Sequence, residues 1–344
     1  MAAARLMRAV WSTKTSRVLT KLPVPAPAAH EVLIRNVAVA SNPKDWKYPI
    51  WYPGWESVEG NDVAGYIEEV GSGVALLKAG DKVAAYTKMR TAQKYGGYAE
   101  FSVSPASTVI PLGPKVSFEE ACTLPLAFMT AAIGLYKRLG LPPPEDRPPN
   151  PIPVIIYGAS SVVGSYAVQL AKLSNLRVIG IAGASADIPR ELGADEVIDY
   201  RGKTPDQLAH AIGDALDGQG SSAHYAFDCI STADSVRTLG KALAHQGGYL
   251  TTVLESAEEA VSRLPTSVTH VGRTAVRTAH GENAAFADHL YKQLGAWVEE
   301  GKFRGSKFKV MPGGLAAVDE GLRMLQDGEV RGFKLVYRIA DTPA

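Results

Sequence analysis

The sequence predicts an α/β protein in which a strand-rich, β-barrel-like domain is followed by a doubly wound parallel sheet. Three observations predict this fold. Strand-like runs punctuated by glycine turns dominate residues 1–125, strands alternate with helical stretches from 152 to about 280, and a strand, tight turn and helix occupy 152–173. A chain of 344 residues is long enough to give both domains a buried core.

Composition excludes several classes of function. The 36 Lys and Arg residues balance 35 Asp and Glu residues, so no net field favours nucleic acid or an anionic membrane surface. No apolar run approaches the ~20 residues of a membrane span. The two cysteines, Cys122 and Cys229, make neither a disulfide framework nor a four-cysteine metal site, which fits a reducing compartment.

The N-terminal stretch has basic residues and no acid before Glu31, a composition that superficially suggests a mitochondrial presequence. Residues 7–22 nevertheless alternate like the first strand of a folded domain. We therefore expect a cytoplasmic protein.

Before residue 126 the strand-like runs lie at 32–40, 62–70 and 82–86, with turns at 71–73 and 80–81. These alternating runs predict a β-barrel-like domain without a nucleotide-binding turn.

Helical patterning begins after Ser117, a plausible N-cap followed by Glu119 and Glu120, and resumes over 125–139. The proline-rich segment 141–151 predicts a stiff surface loop, because a strand follows it at once.

The second half begins with a strand at 152–157, then Gly158, and a helix that contains Gly164. Gly158 permits a sharp turn, Ala159 and Ser160 leave room for a pyrophosphate, and the amides that open the helix point at the anion. Gly164 allows close packing of the helix on the strand, whereas Ser161 stands where the strict pattern has another glycine. The predicted nucleotide site comprises Gly158, Ala159, Ser160, Ser161, Val162, Val163 and Gly164; the alternative is an ordinary turn that binds nothing.

The second strand of this half, 177–182, ends where a ribose-reading acid would be expected. No carboxylate stands at 182–185, while Ser185, Arg190 and Tyr200 follow, together with Arg201 and Lys203, and these side chains suit a 2′-phosphate. The sequence therefore favours NADPH over NADH, with plain surface charge as the alternative for the basic residues.

Further strands are expected at 195–199, 223–229, 247–253 and 270–278. Cys229 and Ile230 end one of them, at the edge that faces the nucleotide in a doubly wound sheet, so both join the predicted cofactor-binding set. For Cys229 simple packing is the alternative.

A helix over 284–300, a strand at 308–310, a helix over 315–326 and a strand at 332–339 return to the first domain. The predicted domains are 1–125 with 284–344, and 126–283.

Five motifs in order carry a resemblance to the medium-chain dehydrogenase/reductase superfamily: GNDVAG (60–65), GDKV (80–83), GGYAE (96–100), LPLAFMTAA (124–132) and LGADEVIDY (192–200). The chain resembles the zinc-lacking quinone oxidoreductase branch. The segments 41–47, 225–230 and 328–335 are similar to fungal trans-acting enoyl reductases. The resemblance implies a GroES-like catalytic domain and a Rossmann domain, a homodimer with a contact near 270–278, and leaves docking to a synthase open.

Zinc enzymes of this superfamily place a cysteine near position 41 and a histidine after the glycine at position 60. Ser41 and Asn61 stand there instead, and none of the seven histidines is paired at ligand spacing in the first domain. We therefore expect no metal. Without a Lewis acid, hydride loss from a simple alcohol is difficult, whereas reduction of an activated C=C bond needs only hydrogen-bond donors at the enolate oxygen.

The resemblance implies that Asn42 and Thr130 contact the nicotinamide and that Lys47 stabilises the enolate or donates a proton. Each has a plainer alternative: a turn residue for Asn42, a helix cap for Thr130 and a solvated loop lysine for Lys47.

Aromatic residues crowd positions 46–55, interrupted by Pro49, Pro53 and Gly54. This density predicts a loop that forms an apolar wall for a planar or hydrophobic substrate, with Tyr52 facing it, or else a satellite core.

The sequence thus predicts an NADPH-dependent reductase of activated C=C bonds in an enone, enal, enoyl thioester or quinone. A carbonyl reductase or alcohol dehydrogenase with the same cofactor and a non-catalytic nucleotide-binding protein are the alternatives.

Overall fold

The computed structural model describes residues 5–52, 54–217, 223–254 and 258–344. Two compact units divide the chain, residues 1–126 with 277–344, and residues 127–276. The strands, in chain order, are β1 Leu6–Ser12, β2 Arg17–Pro23, β3 Glu31–Ala40, β4 Ser57–Val58, β5 Asp62–Val70, β6 Lys82–Tyr86, β7 Phe101–Pro105, β8 Val109–Pro111, β9 Ile152–Tyr157, β10 Leu176–Ala182, β11 Glu196–Asp199, β12 Tyr225–Asp228, β13 Gly248–Thr252, β14 Val268–Arg273, β15 Phe308–Val310 and β16 Lys334–Arg338.

The α-helices of the described residues are α1 Pro43–Trp51, α2 Phe118–Ala121, α3 Pro125–Ala132, α4 Val162–Leu173, α5 Asp187–Glu191, α6 Pro205–Asp217, α7 Ala233–Leu243, α8 Glu258–Val261, α9 Ala284–Glu299 and α10 Val318–Gln326. The residue Ser117 caps α2 as expected, since its hydroxyl accepts from the Glu120 amide. No helix among the described residues has both the length and the apolar character needed to cross a bilayer.

The first unit is built on a mostly antiparallel sheet in the order β15-β16-β3-β5-β6-β8, with β7 also paired to β3, and on a smaller sheet β2-β1-β4. The apolar faces of both enclose one core that includes Val10, Ile34, Val63 and Tyr337. Because β15 and β16 belong to this sheet, two distant chain segments complete one unit.

The second unit carries a parallel sheet in the order β11-β10-β9-β12-β13-β14. Strands β9, β10 and β11 are added successively towards one edge of the sheet, and β12, β13 and β14 towards the other. The order of the strands therefore reverses between β9 and β12, as it does in a Rossmann fold. The predicted fold class, a barrel-like domain with a doubly wound parallel sheet, is confirmed by this architecture.

Two local expectations were wrong. The strand expected at 270–278 ends at Arg273, because Gly272 adopts a left-handed φ of +88° in a bulge against β13, and Val276–His280 forms a 3₁₀ turn. The aromatic segment expected to be a loop is largely helix α1, which continues through Pro49.

Candidate active site

The helix α1 starts from a buried polar network in the first unit. The Asn42 side-chain amide donates to Asp62 Oδ2 at 2.8 Å, and its carbonyl oxygen accepts from Lys334 Nζ at 3.1 Å. Lys334 also pairs with Asp62, whose second oxygen accepts from the Leu126 amide at 2.7 Å. Both polar ends of the Asn42 side chain are therefore bonded to protein groups.

A second set of contacts fixes the first turn of α1. The Asp45 carboxylate accepts from the Asn42 backbone amide at 2.8 Å and from the Tyr98 hydroxyl at 2.6 Å. Lys44 lies 2.5 Å from Asp45 and 3.4 Å from Glu59, and these carboxylates raise the pKa of Lys44 against the opposing effect of its burial. The residues that follow on α1 are therefore held on a rigid element.

Ser41 and Asn61, at the positions where zinc enzymes of the superfamily have ligands, are bonded within the protein. Ser41 Oγ lies 2.9 Å from the hydroxyls of Tyr98 and Tyr337. The Asn61 amide donates to Thr87 O at 3.2 Å and Thr87 Oγ1 at 3.0 Å. A neutral hydroxyl and a carboxamide lack the thiolate and imidazole donors that zinc prefers, and the described residues hold no group of three His, Cys, Asp or Glu side chains arranged for a metal ion. A zinc ion does not fit this site.

Lys47 projects from α1 into an aromatic setting. Its Nζ lies 5.3 Å from the ring centroid of Trp46 and 5.6 Å from that of Trp51, within cation–π range. Within the part of the chain that the structure describes, no carboxylate pairs with it, and burial lowers the pKa of this half-buried amine. Lys47 lies within α1, and not in the loop that the sequence analysis considered.

The aromatic residues of this region differ in burial. Trp46 packs against the core, whereas Trp51 is 48% and Tyr52 37% exposed. The Arg90 guanidinium carbon lies 3.1 Å from the Tyr52 ring centroid, and Tyr48 meets Tyr52 edge to face at 5.7 Å. Tyr52 is thus an accessible ring, stacked on a cation at the end of α1.

In the second unit, the turn after β9 has the tight geometry expected of it. Gly158 has a φ of +75°, and a Cβ on Gly164 would lie 2.1 Å from the Gly158 carbonyl oxygen. Ser161 caps α4, since its hydroxyl accepts from the Gly164 amide at 3.1 Å. A serine at this position is therefore compatible with the turn.

The amides of Ser160, Val162 and Val163 donate to no protein acceptor within the described residues, while those of Gly158 and Ala159 bond to Ile181 O. Three neighbouring donors at the start of α4 are thus available to an anion, as a pyrophosphate site requires.

Ile230 and Cys229 lie at the same edge of the sheet. The Ile230 side chain covers Gly158, because a Cβ there would lie 2.5 Å from Ile230 Cγ1. Cys229 is buried and burial raises the pKa of its thiol well above the usual value, so it packs rather than reacts. Asp228, which the sequence reasoning missed, accepts from the amides of Ile230 and Ser231 at 2.9 and 2.8 Å and shapes this edge.

At the end of β10, Ser185 is half-buried and Arg190 is exposed on α5. The Tyr200 ring lies parallel to Tyr157 at 6.3 Å. No acid follows β10 directly, but the parallel register places Asp199 beside Ala182.

The Asp199 carboxylate is occupied, because Arg201 bonds it at 2.6 Å and holds its pKa at about 2. Lys203 donates to the Asp199 carbonyl oxygen at 2.9 Å. Arg201 and Lys203 are therefore engaged, whereas Arg190 has no ion-pair partner among the described residues. Sequence reasoning overlooked Asp199, although strand pairing would have revealed it.

Thr130 is buried on α3, and Cys122 is buried just after α2 with a raised thiol pKa. The predicted site residues thus fall into two groups. Asn42, Lys47 and Tyr52 lie on or beside α1, and the nucleotide-binding candidates lie in the second unit with Thr130. Their roles remain predictions.

Comparisons with known proteins agree with this architecture. Residues 28–114 match the family described as alcohol dehydrogenase GroES-like domain, and residues 162–298 match the zinc-binding dehydrogenase family. Among solved structures, an NAD-dependent alcohol dehydrogenase has a TM-score of 0.76 and 28% identity, with 96% of this chain and 99% of that chain covered. The CurK enoyl reductase has a TM-score of 0.76 and 21% identity, with 97% and 99% covered, and shows the fold alone.

Relatives of this chain are named as enoyl reductases. The trans-enoyl reductase fsr4 of Gibberella fujikuroi is 36% identical over 299 residues, which cover 85% of this chain and 86% of the relative. The enoyl reductase component lovC of the lovastatin nonaketide synthase of Aspergillus terreus is 30% identical over 341 residues, which cover 92% and 91%. The match extends over both units, and on this evidence the chain belongs to the trans-enoyl reductase family of the medium-chain dehydrogenases/reductases.

Proposed function

We propose that this oxidoreductase uses NADPH to reduce an activated C=C bond, in an enone, enal, enoyl thioester or quinone, without zinc. The observation that carries the proposal is the chemistry of Ser41 and Asn61, which form internal hydrogen bonds where a zinc dehydrogenase would bind its metal. Without zinc to stabilise an alkoxide, C=C reduction is the less demanding reaction. The names of the relatives, trans-enoyl reductases, point the same way.

The amides that open α4 would hold the pyrophosphate of NADPH, with Gly158 and Gly164 allowing its close approach. Arg190 and Ser185 would meet the 2′-phosphate, because Arg201 is already bound to Asp199. When bound, NADPH supplies the hydride that adds to the β-carbon of the substrate.

Lys47 would donate a hydrogen bond to the enolate oxygen that develops on the substrate, or a proton to its α-carbon. Its half-buried amine, with a lowered pKa and no carboxylate partner among the described residues, is suited to both tasks. Tyr52 would pack against a planar or hydrophobic substrate.

Asn42 and Thr130 remain candidates for contact with the nicotinamide end. Because the Asn42 side chain is bonded to Asp62 and Lys334, we expect it to act mainly by fixing the start of α1.

A synthase partner belongs to this proposal, since one relative is named as a component of such an enzyme. A homodimer is also proposed, with a contact at the sheet edge that β14 forms. The proposed setting is the cytoplasm.

The deciding experiment measures NADPH and NADH consumption against enones, enals, enoyl thioesters, quinones and saturated ketones, with the products identified. Saturated C=C products with a preference for NADPH support the proposal. Alcohol products would identify a carbonyl reductase, and tight cofactor binding without consumption would indicate a non-catalytic nucleotide-binding protein.

A further inference from the structure

The segment that follows β6, residues 87–95, meets the end of α1 through two consecutive side chains. The Tyr48 hydroxyl donates to Met89 Sδ at 3.8 Å. The Arg90 guanidinium carbon lies 3.1 Å from the ring centroid of Tyr52 and 5.5 Å from that of Tyr48. Tyr48 lies within α1 and Tyr52 caps its C-terminus, so this segment contacts the aromatic end of the helix.

Stacking, and not a salt bridge, orients the Arg90 side chain. Arg90 is exposed, and within the described part of the chain its guanidinium forms no ion pair and no hydrogen bond with another residue. Its backbone has a φ of +53°, a left-handed conformation that residues other than glycine adopt at a cost in free energy. Such a conformation persists where the flanking contacts hold it, and contacts of this kind are present on both sides of Arg90.

Asn61 anchors the start of the segment. Its side-chain amide donates to the carbonyl oxygens of Thr87 and Lys88 at 3.2 and 3.1 Å. In return, the Thr87 amide donates to the Asn61 carbonyl oxygen at 3.1 Å. The residue that stands at a zinc-ligand position of the superfamily therefore holds the segment that carries Arg90.

Glu31 anchors the other end of the segment. This buried carboxylate accepts from Lys94 Nζ at 2.7 Å and from the Tyr95 hydroxyl at 2.5 Å. Burial opposes the ionisation of Glu31, but the hydrogen bonds from Lys94 and Tyr95 outweigh it and lower the pKa of Glu31. The anchor is therefore ionised at neutral pH, and Arg90 projects from a segment that is fixed at both ends.

We propose that Arg90 is a positioning residue for the substrate, which acts by holding the Tyr52 ring in the orientation that a planar enoyl group packs against. An exposed tyrosine without this stack exchanges between staggered rotamers, so a substrate must select one of them on binding and loses affinity. Arg90 removes that cost in advance. The inference rests on the proposed function, in which Tyr52 faces the substrate.

The test measures substrate binding and turnover separately. The probe is the N-acetylcysteamine thioester of trans-2-hexenoic acid, which is neutral and therefore gains nothing from charge attraction to Arg90. Its dissociation constant is measured by calorimetry on enzyme saturated with NADP⁺, and kcat and KM are measured with NADPH.

R90G is the informative variant, because glycine adopts a φ of +53° without strain and so preserves the segment while the guanidinium is lost. We expect the melting temperature of R90G to equal or exceed the native value. The dissociation constant and KM of the probe should rise about five-fold, as the loss of a cation–π contact supports, while kcat and NADPH affinity stay native. A merely structural role for Arg90 would not produce this split.

Two further variants serve as controls. R90K keeps the charge but lacks the planar guanidinium, so it should recover only part of the lost affinity. R35A is the matched control, because Arg35 is another exposed arginine whose guanidinium carbon lies over a tyrosine ring, 5.4 Å from the Tyr66 centroid. R35A should leave the affinity for the probe at the native value.

A double-mutant cycle with Y52L tests whether Arg90 acts through the Tyr52 ring. If it does, adding R90G to Y52L should raise the dissociation constant of the probe by at most about two-fold. The full effect of R90G in the Y52L background would overturn the inference. Native affinity in R90G, or full recovery in R90K, would overturn it as well.

The outcome also separates this inference from the proposed reaction. Probe binding that depends on Arg90, without turnover by the native enzyme, would refute the proposed reaction alone. Turnover of the probe that is independent of Arg90 would refute the positioning role alone.

Discussion

Lys334 and Asp62 form an ion pair inside the first unit, with 3% and 0% of their side chains exposed, although 272 residues separate them in the chain. Asn42 bonds to both partners, so the pair also holds the start of α1. Burying an isolated charge costs much free energy. Here the attraction between Lys334 and Asp62, together with their hydrogen bonds, offsets the cost of burying both charges.

Replacing Lys334 should therefore destabilise the protein strongly. K334M leaves the Asp62 carboxylate buried without its cation, and we expect the free energy of unfolding to fall by about 3–5 kcal/mol in urea denaturation. K292M is the control, because Lys292 pairs with Asp288 on the exposed face of α9, and it should cost about 0.5 kcal/mol or less. Equal losses in the two variants would contradict the structural role given to Lys334.

Substitution of Gly164 should weaken cofactor binding. In G164V the new Cβ would lie 2.1 Å from the Gly158 carbonyl oxygen, so the turn that carries the free amides must shift. We expect the NADPH dissociation constant, measured by fluorescence titration, to rise at least ten-fold. G213A is the control, because a Cβ on Gly213 of α6 meets nothing within 4 Å, and its affinity should stay at the native value. Native affinity in G164V would count against the nucleotide site.

Arg190 should determine the preference for NADPH. R190A removes a guanidinium that is free to meet the 2′-phosphate, so its NADPH dissociation constant should rise about ten-fold while that for NADH stays constant. R237A, which changes an exposed arginine on α7 paired with Asp234, should alter neither. A parallel loss of both cofactors in R190A would show that the turn, and not the phosphate contact, had been damaged.

Lys47 should matter more for turnover than for cofactor binding. K47M removes the proposed donor and should lower kcat at least ten-fold with little change in NADPH affinity. K78M, at an exposed turn lysine, is the control. An unchanged rate in K47M would return Lys47 to a surface role.

The lowered pKa of Lys47 adds a dependence on pH. The native rate should fall as pH rises through the lowered pKa, because the donor loses its proton below the ordinary lysine value. The folded state also binds the Lys47 proton less tightly than the unfolded chain does. The free energy of unfolding should therefore increase as pH rises from the lowered pKa of Lys47 towards the ordinary lysine pKa. A rate profile that keeps the same alkaline limb in K47M would assign that limb to another group.

Chelator treatment should leave activity intact. Ser41 and Asn61 form hydrogen bonds within the protein at the positions where zinc enzymes have ligands, so under the proposed function the reaction needs no metal there. Activity is measured after incubation with 1,10-phenanthroline and dialysis, with metal content determined by mass spectrometry. A loss that added zinc restores would overturn the zinc-free proposal.

The elements with local signals were predictable from the sequence. The β-branched run before Gly158 and the alternation of strands and helices after 152 predicted the second unit and its sheet, and the capping serine at 117 predicted the start of α2 in the first unit, because periodicity and turn residues act over a few positions. The paired edge residues Ala182 and Asp199 were missed, since register between parallel strands is a long-range property.

Helix α1 shows the limit of local reasoning. Pro49 and the neighbouring aromatic residues indicate a break, yet contacts of Asp45 with Tyr98 and of Lys44 with Glu59 hold the helix. These partners are distant in sequence. No rule of sequence spacing predicts that such residues meet, so the hydrogen bonds and ion pairs that hold α1 could be identified only from the structure.

The division of the first unit between two chain segments has a consequence for synthesis on the ribosome. Residues 127–276 are contiguous and are all made before β15 and β16, whereas the sheet of the first unit lacks both strands until residues 308–338 have been translated. Until then, Asp62 has no cation and the edge of β3 has no neighbour on that side. We therefore expect the second unit to fold before the first during translation. The first unit should need chaperone protection until β15 and β16 have joined its sheet.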